Sequence, residues 1–403
     1  MFKFYELKIN ARNQSLDYRA KLELMRALKT IIDTNEALAQ LMEHAMTIDA
    51  VALDTEFLWE RTFYPRLGLI QLGLSDEACF LIDPLAITDL SPLGDLLANS
   101  KVVKIFHDAS QDMSILSQAT GVTPRNIFDT RLAAGFAGFP AILSLSHLVE
   151  ALLDIHLDKT ETRTNWLKRP LTEKQVCYAQ DDVRYLRAVR VLLLSRIVEP
   201  AVKKWLAEEM ERLDHPQNYN TFLRTDRSKK IKAAHRLPPK AREVLRRLAE
   251  WREETAETRD RPRGHILHDN ILCDICNTLP TSRSELKERT AISDKACQNY
   301  GDELIALLAK WHADGEPALP GEKRPKKMNR QEEKMLTELH DYINTTGETL
   351  GVAPGLLGNN GEIKALTRIL CSKKGNKEAA LPQQQGWRRE FLTDFFHSVE
   401  HPA

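Results

Sequence analysis

The 403-residue sequence lacks the features that mark several classes of protein. No apolar run approaches the ~20 residues that a membrane-spanning helix requires. The opening stretch, MFKFYELKINARNQSLDYRAK, has no apolar core of the kind found in secretory signals. Only six cysteines occur, and their scattered positions do not suggest a disulfide framework. We therefore expect a cytoplasmic protein that is not held in a membrane.

The cysteines also give little support for a structural zinc site. Cys273 and Cys276 form one CxxC pair, but no second ligand pair follows at a suitable spacing. We expect these two residues to be buried thiols on a helix.

The net charge is zero, but the two halves of the chain differ. Residues 1–200 carry 22 basic and 26 acidic side chains, which leaves 35 and 31 for the remainder. The densest basic stretch, Leu223–Arg242, has eight Lys or Arg and one acid. Charge alone leaves open whether this stretch contacts phosphates or is a solvated linker.

A chain of this length is expected to form two or three domains. Residues 28–200 alternate short apolar runs with helical patterns, which predicts an α/β domain with a mixed sheet flanked by helices. Residues 201–403 show only helical periodicity, as in Lys240–Glu257, and Gly315–Lys327 has the composition of a linker. Because the α/β pattern ends near Pro200, we expect the first domain to fold without the helical half.

The periodicity predicts individual elements in the first domain. Predicted strands are Lys29–Ile32, Ala50–Leu53, Leu67–Leu74, Cys79–Ile82 and Val102–Phe106. Predicted helices are Asp112–Gln118, Leu145–Leu153 and Glu173–Val191.

Three segments carry acidic residues that are candidates for chemistry. Asp54 and Glu56 lie two residues apart at the end of an apolar strand, so their side chains share one face of the sheet. Two adjacent carboxylates repel each other unless a cation lies between them, which favours a divalent ion with oxygen ligands. An exposed acidic turn after the strand is the alternative.

The second segment, Lys104–Met113, joins a buried strand to a helix. Asp112 falls on the first turn of that helix, next to the carboxyl end of the strand, where α/β sheets bind ligands. We interpret Asp108 as the helix cap. His107 is either a ligand or a packed side chain, and the latter is more common at such a position.

The third segment begins a helix at Thr172, which forms a capping box with Gln175. Tyr178 and Asp182 are four residues apart and therefore share one face of this helix. A phenol and an acid one turn apart can orient a water and bind a metal, although a core tyrosine with a nearby acid is the alternative. Together, Asp54, Glu56, Asp112 and Asp182 offer enough carboxylates for two Mg²⁺ or Mn²⁺ ions that act on a phosphodiester.

These motifs, taken together, resemble those of the ribonuclease D family, in the tyrosine subgroup of the DEDD superfamily of 3′–5′ exonucleases. The first motif is DTEF with TFYPRLGLIQLG, the second is FHDASQDMSIL, and the third is TRTNWLKRPLTEKQVCYAQDDVRYL. The resemblance covers residues 28–200 and implies a ribonuclease H-like fold. It also implies the metal ligands Asp54, Glu56, Asp112 and Asp182, a water-orienting Tyr178, and nucleoside 5′-monophosphates as products. Candidates for contacts to the terminal nucleotides are Thr55, Phe57, Tyr64, His107 and Trp166, of which the aromatic residues could equally belong to the core.

The helical half is similar to HRDC domains, which are small modules that bind nucleic acid. The similarity rests on LPPKAREVLRRLAEWRE, RPRGHILHDNIL and TLP, and a second, divergent HRDC-like copy ends in GWRREFL. We thus expect an exonuclease domain followed by two small all-α domains. The expected boundaries are an extension at 1–27, the exonuclease domain at 28–200, a basic connecting segment at 201–236, an HRDC domain at 237–312, a linker at 313–328 and an HRDC-like domain at 329–403.

The resemblance implies a monomeric exoribonuclease that acts on RNA with a free 3′ end, such as precursors of transfer RNA. Two alternatives stay open at this point. One is the same chemistry on DNA, because only contacts to the 2′-hydroxyl distinguish the sugars. The other is a non-catalytic RNA-binding protein.

Overall fold

The structure is a computed structural model that describes residues 30–158, 161, 164–220, 226–313, 327–372 and 381–400. The predicted N-terminal extension lies outside these residues, as does most of the predicted linker. The chain divides into two compact units. Unit 1 contains Met1–Leu58, Leu67–Phe222 and Met328–Ala403, and unit 2 contains Trp59–Arg66 and Leu223–Lys327. Within the part of the chain that is described, no helix is both long and apolar enough to span a bilayer.

Unit 1 is built on a six-stranded sheet, which confirms the predicted mixed sheet and adds one strand to the five that the sequence predicts. Its strands are β1 (Ile31–Ile32), β2 (Ala50–Leu58), β3 (Arg66–Gly73), β4 (Cys79–Ile82), β5 (Val103–Phe106) and β6 (Ile127–Asp129). The order in the sheet is β1-β4-β3-β2-β5-β6. Strand β5 runs parallel to both β2 and β6, whereas β3 and β4 are antiparallel. The carboxyl ends of β2 and β5 therefore meet at one edge of the sheet.

Eight helices accompany this sheet in the described part of residues 30–220. They are α1 (Asn35–Ala45), α2 (Ser91–Ala98), α3 (Ser110–Thr120), α4 (Thr130–Phe136), α5 (Leu145–Leu153), α6 (Glu173–Arg184), α7 (Leu186–Arg196) and α8 (Pro200–Glu211). The helix predicted over Glu173–Val191 is wrong in its length, because the chain forms two helices that meet at Tyr185. Tyr185 keeps helical backbone angles, so the apolar pattern continues across the junction and hides it.

The C-terminal segment packs with the α/β elements in unit 1. Its helices are α14 (Arg330–Leu350), α15 (Asn360–Cys371), α16 (Gly386–Phe391) and α17 (Thr393–Glu400), and they share one hydrophobic core with the α/β elements. The backbone N–H of Ala353 donates to the carbonyl of Gly135 on α4 at 2.7 Å. A Cβ on Gly135 would meet the side chain of Leu356 at 2.8 Å, so the two segments pack tightly. The α/β elements and the C-terminal segment therefore share one hydrophobic core, which the predicted division near residue 200 did not anticipate.

A buried polar network joins α8 to α16. Glu209 is 8% exposed and accepts hydrogen bonds from the Trp387 indole at 2.7 Å and from the Arg388 guanidinium at 2.9 and 3.1 Å. Burial disfavours the charged form, but the hydrogen bonds from Arg388 lower the pKa of Glu209 below its ordinary value overall. Trp387 also stacks on Trp205, with ring centroids 6.0 Å apart. The network thus fixes the C-terminal segment to the end of the α/β domain.

Unit 2 is all-helical, in agreement with the sequence. It contains α9 (Pro239–Thr258), α10 (Arg263–Ile266), α11 (Asp269–Thr278), α12 (Arg283–Arg289) and α13 (Asp294–Ala313). Cys273 and Cys276 are buried free thiols on α11, as predicted.

The predicted connecting segment at 201–236 is not a linker. Its first part contains α8, which belongs to unit 1. Its later part forms two short 3₁₀ helices, Arg227–Lys230 and Lys232–Arg236, in unit 2. Ile231 between them is 3% exposed and lies in the unit 2 core, so this part of the chain is packed against unit 2.

A second chain segment completes unit 2. Residues 59–65 connect β2 to β3, yet Phe63 is 3% exposed within the hydrophobic core of unit 2. The Tyr64 hydroxyl donates to Glu257 at 2.6 Å, and the Phe63 N–H donates to Asp260 at 3.0 Å. The guanidinium of Arg263 lies 4.5 Å from the centroid of the Phe63 ring. Unit 2 is therefore discontinuous in sequence.

Candidate active site

Three carboxylates converge at the carboxyl end of β2. Residues 50–53 of this strand are fully buried, and Asp54 and Glu56 follow with the alternation predicted from the sequence. Asp182 on α6 joins them, and one oxygen from each of the three side chains lies within 4.8 Å of the others. Residues far apart in the sequence thus form one acidic cluster.

Local contacts hold α6 over the sheet. Thr172 and Gln175 form the predicted capping box at the start of this helix. Gln180 donates to the carbonyl of Cys79 on β4 at 3.1 Å, and a Cβ on Gly73 would lie 2.9 Å from the carbonyl of Val183. Glycine at position 73 therefore permits the close approach that brings Asp182 to the sheet.

The loop before α6 is held by an ion pair that the sequence did not reveal. Arg169 donates to both carboxylate oxygens of Asp83, at 2.6 and 2.7 Å. It also donates to the carbonyls of Trp166 and Gly68 at 2.9 and 2.7 Å. This bidentate geometry favours one orientation of the third motif on the sheet.

Tyr178 lies one helical turn before Asp182 and is half-buried. Its ring centroid is 6.1 Å from that of Trp166. Burial and then the charges of Asp182, Glu56 and Asp54 raise the pKa of Tyr178, so the phenol stays protonated at neutral pH. The charges that act on this phenol place it beside the acidic cluster.

Asp112 enters from α3, beside the end of β5. It is 8% exposed, and the hydroxyl of Thr55 donates to it at 2.5 Å. Asp112 is not one of the three acids whose oxygens lie within 4.8 Å of one another, but its charge raises the pKa of both Asp54 and Glu56. The four predicted carboxylates therefore belong to one electrostatic site.

The pKa values of these acids are raised, because the acids are buried close to one another. Burial, followed by repulsion from Asp182, raises the pKa of Glu56 to about 9. Burial is also the main cause that raises the pKa of Asp112 and of Asp182 to about 7 each. Burial, and then the charges of Asp112 and Asp182, raise the pKa of Asp54 well above its ordinary value. Without a cation, the site therefore favours the protonated acids.

The composition of the cluster fits divalent metal ions. Its donors are carboxylate oxygens, which hard cations such as Mg²⁺ and Mn²⁺ prefer. Among the described residues, the only side chain that donates a hydrogen bond to Asp112 is the neutral hydroxyl of Thr55. After burial, the strongest influences on the pKa of Glu56 are the charges of other acids. A divalent ion would supply the missing positive charge and bring the pKa values down.

Asp129 at the end of β6 is a buried acid that the sequence analysis missed. Its carboxylate accepts from the backbone N–H groups of Ala109 at 2.9 Å, Arg131 at 2.8 Å, Asp108 at 3.2 Å and Leu132 at 3.3 Å. The first of these lies immediately before α3, which carries Asp112. The only signal in the sequence is an aspartate that ends an apolar run, IFD, and caps a helix.

We expect Asp129→Asn to lower kcat about tenfold or more, because outer partners of metal ligands have effects of this size. An asparagine has one acceptor oxygen, so it cannot satisfy N–H groups on both of its sides. The concentration of Mg²⁺ that gives half-maximal activity should rise, while KM for RNA changes little. The control is Asp95→Asn, which removes an exposed carboxylate on α2. A change in KM alone would contradict this positioning role.

The interpretation of Asp108 as the helix cap is wrong. The cap position of α3 is Ala109, without a side-chain hydrogen bond. Asp108 has a positive φ of 64°, and its carboxylate pairs with Arg131 at 2.9 Å. Asp129 supplies the acceptor for this turn instead.

The structure places the five candidate substrate contacts in different surroundings. The Thr55 hydroxyl is occupied by Asp112, and both ring nitrogens of His107 are occupied, one by Thr130 and one by the carbonyl of Leu143, each at 2.9 Å. Trp166 is 2% exposed and belongs to a small core cluster, which agrees with the packing alternative for this residue. Tyr64 belongs to unit 2. Of the five candidates, Phe57 alone is a half-buried side chain on β2 next to Glu56.

Comparisons with known proteins identify two family domains in the chain. Residues 29–197 match the 3′–5′ exonuclease family, and residues 241–308 match the HRDC domain. The chain is 50% identical over 368 residues to ribonuclease D of Desulfotalea psychrophila, covering 91% of this chain and 97% of that protein. It is 33% identical over 377 residues to ribonuclease D of Escherichia coli, covering 92% and 99%.

Solved structures give the same result for the fold. The crystal structure of Escherichia coli RNase D, described as an exoribonuclease involved in structured RNA processing, matches with a TM-score of 0.79 and 30% identity, over 93% of this chain and 99% of that one. The catalytic core of RRP6 from Trypanosoma brucei matches with a TM-score of 0.54 and 22% identity, over 72% and 80%, which shows a similar fold.

Proposed function

The chain belongs to the ribonuclease D family of 3′–5′ exoribonucleases, and we propose that it removes nucleoside 5′-monophosphates from RNA by a two-metal mechanism. Asp54, Glu56, Asp112 and Asp182 hold the divalent ions. Mg²⁺ is the expected metal, and Mn²⁺ is expected to replace it. The observation that carries the proposal is the convergence of three of these carboxylates within 4.8 Å.

The residues of the chain have separate roles in this proposal. When bound, two divalent ions would favour attack by water on the terminal phosphodiester and stabilise the leaving oxygen. The four carboxylates position the ions and balance their charge. The Tyr178 hydroxyl, which stays protonated, binds and orients the attacking water.

The role of Tyr178 is tested by Tyr178→Phe, which removes the hydroxyl and keeps the ring against Trp166. We expect kcat to fall roughly 10²-fold or more, the usual scale for a positioned catalytic group, while the Kd for RNA barely changes. Single-turnover kinetics and equilibrium binding measure the two quantities. Tyr185→Phe, at the junction of α6 and α7, is the matched control. A large loss of affinity with normal turnover would instead give Tyr178 a packing or stacking role.

The substrate we propose is RNA with a free, unpaired 3′ end, and precursors of transfer RNA are the expected physiological class. The Escherichia coli relative is described as acting in structured RNA processing, which supports a folded RNA with a 3′ extension. We expect the enzyme to act as a monomer in the cytoplasm.

The proposal is tested with purified protein and a 3′-tailed RNA hairpin, with and without Mg²⁺. We expect stepwise release of 5′-monophosphates that requires Mg²⁺, and resistance of the same RNA with a 3′-phosphate. Calcium should support little cleavage, because its looser coordination places the reacting groups less accurately. Equal digestion of blocked and free ends would indicate an endonuclease. Faster digestion of a DNA strand of the same sequence would overturn the assignment to RNA.

A further inference from the structure

Gln71 is a buried polar side chain of unit 1 that has no role in the chemistry proposed above. It lies on β3 and is 0% exposed. Both polar atoms of its amide, Oε1 and Nε2, are buried and have no hydrogen-bond partner among the described residues. Most buried amides are hydrogen-bonded, because an unpaired donor or acceptor loses its bonds to water without replacement. The sheet therefore holds this amide at a cost in stability.

The register of β2 and β3 places Gln71 opposite Asp54. These strands are neighbours in the sheet and are joined by the short segment 59–65, so they run antiparallel, because a parallel pair needs a crossover of about a dozen residues or more. A Cβ on Gly73 would lie 3.2 Å from the Cβ of Ala52, so these two residues are opposite each other. Two residues back along β3 and two residues forward along β2, Gln71 and Asp54 meet on the same face. Opposite side chains have Cβ atoms roughly 5 Å apart, which is within reach of a glutamine amide.

The neighbours of Gln71 on β4 and on its own strand are apolar. Leu81 is its partner on β4. Leu69, two residues before Gln71 on the same face of β3, packs with Leu81 and with Ala179 of α6 in one small core cluster. These side chains offer neither a donor nor an acceptor to the amide. The polar side chain that the register brings to Gln71 is therefore Asp54.

Asp54 has the complementary need for a donor. The main influences on its pKa are burial and the charges of three neighbouring acids, which raise it, and one hydrogen bond from the backbone of Thr55, which lowers it. Carboxylates that bind metals are usually oriented by further hydrogen-bond donors around them. The amide of Gln71 has two N–H groups to donate. An unpaired donor and a carboxylate that requires one are thus cross-strand neighbours.

We propose that Gln71 is a positioning residue whose amide donates to the carboxylate of Asp54 and holds this metal ligand in one orientation. The inference rests on the proposed function, in which Asp54 binds a divalent ion. Because a glutamine side chain has several rotatable bonds, its amide can turn toward Asp54 without movement of either strand. The amide then serves the metal site and not the stability of the sheet. Its removal should weaken metal binding and should not weaken the metal-free fold.

The test uses variants of the full-length protein that remove a buried amide. Gln71→Met keeps the length of the side chain, and Gln71→Leu is a second variant with a different apolar shape. The matched control is Gln383→Met, since Gln383 is also 0% exposed in unit 1 but donates to the carbonyl of Leu357 at 2.7 Å. Isothermal titration calorimetry with Mg²⁺ alone gives the Kd for the metal, and circular dichroism in EDTA gives Tm. Hydrolysis of a 3′-tailed RNA gives kcat and KM.

We expect both Gln71 variants to raise the Kd for Mg²⁺ about 10–100-fold, which is the usual effect of removing an outer partner of a metal ligand. Their Tm in EDTA should equal or exceed that of the wild type, because an apolar side chain replaces an amide without a partner. At limiting Mg²⁺, kcat should fall while KM for RNA changes little. Gln383→Met should do the opposite, with a lower Tm and an unchanged Kd for Mg²⁺.

A wild-type Kd for Mg²⁺ in both Gln71 variants would overturn the proposal. A loss of Tm in EDTA as large as that of Gln383→Met, or loss of cooperative unfolding in both Gln71 variants, would also overturn it, because the amide would then serve the fold. Metal binding is measured without RNA. If the wild type bound Mg²⁺ but released no mononucleotides, the proposed function alone would fail.

Discussion

Replacing Asp54 or Asp182 by asparagine is expected to abolish exonuclease activity, with a loss of about 10³-fold or more, comparable to the removal of a group that stabilises charge in the transition state. Each substitution removes one negative charge from a buried cluster that depends on charge to hold divalent ions. The isosteric amide keeps the shape of the side chain. Release of mononucleotides from a 3′-tailed RNA measures the effect.

The same substitutions should not destabilise the metal-free fold. Since burial and neighbouring acids raise the pKa of Asp182 to about 7, its ionised form is less favourable in the folded state than in the unfolded state. An acid with a raised folded pKa lowers the free energy of unfolding as pH rises above its unfolded pKa. At pH 8 in EDTA, the Tm of Asp182→Asn should therefore equal or exceed that of the wild type.

The neighbouring Asp181 provides a matched control on the same helix. It is 38% exposed at its side chain and pairs with Arg184 at 2.8 Å. Asp181→Asn should retain activity and should still gain Tm when Mg²⁺ is added, whereas Asp182→Asn should lose both. If the two variants behaved alike, the assignment of Asp182 as a ligand would be wrong.

Removing residues 328–403 is expected to prevent the α/β domain from folding stably. This deletion takes away Leu339, Ile343, Trp387, Phe391 and Leu392, all 3% exposed or less in the core of unit 1. Loss of a single buried aromatic costs about 3–5 kcal/mol. Several such losses together exceed the ~5–15 kcal/mol that stabilises a typical protein. Glu209 would also lose the hydrogen bonds that it accepts from Arg388 and Trp387, while apolar side chains remain near it.

A deletion in unit 2 provides the comparison. Residues 223–327 are replaced by a flexible Gly/Ser linker, and Phe63 and Tyr64 are changed to serine because unit 2 no longer covers them. This variant should give a soluble protein with cooperative thermal unfolding and slow cleavage of short single strands. The 328–403 deletion should instead aggregate or bind hydrophobic dyes. A stable, cooperatively unfolding protein without residues 328–403 would contradict the shared core.

Individual strands and helices that depend on neighbouring residues could be predicted from the sequence. Cys79–Ile82 and Leu145–Leu153 were predicted with the bounds that the structure gives them, because each is a short apolar pattern between clear turn or cap residues. The pairing of Tyr178 with Asp182 on one face followed from helical periodicity alone. These predictions depend only on neighbours within a few residues.

Features that depend on contacts between residues far apart in the sequence could not be predicted from it. The helix that begins at Arg330 is amphipathic, but periodicity does not say whether its apolar face covers its own small domain or the α/β domain. Asp108 and Asp129 are both acids near a helix start, and only the packed structure shows that the latter holds the turn. Which carboxylate adopts which role was therefore decided by tertiary geometry.

The discontinuity of unit 2 has a consequence for how this protein could be recombined. A fragment cut at 237–312 omits residues 59–66, so it would lack the Phe63 ring and the Asp260 and Glu257 hydrogen bonds. A chimera that exchanged only the contiguous HRDC sequence with that of a relative would place a foreign helix α9 against the native Phe63. Successful exchange would require residues 59–66 to be replaced together with the helices. Two distant stretches of the gene would then have to be exchanged at the same time.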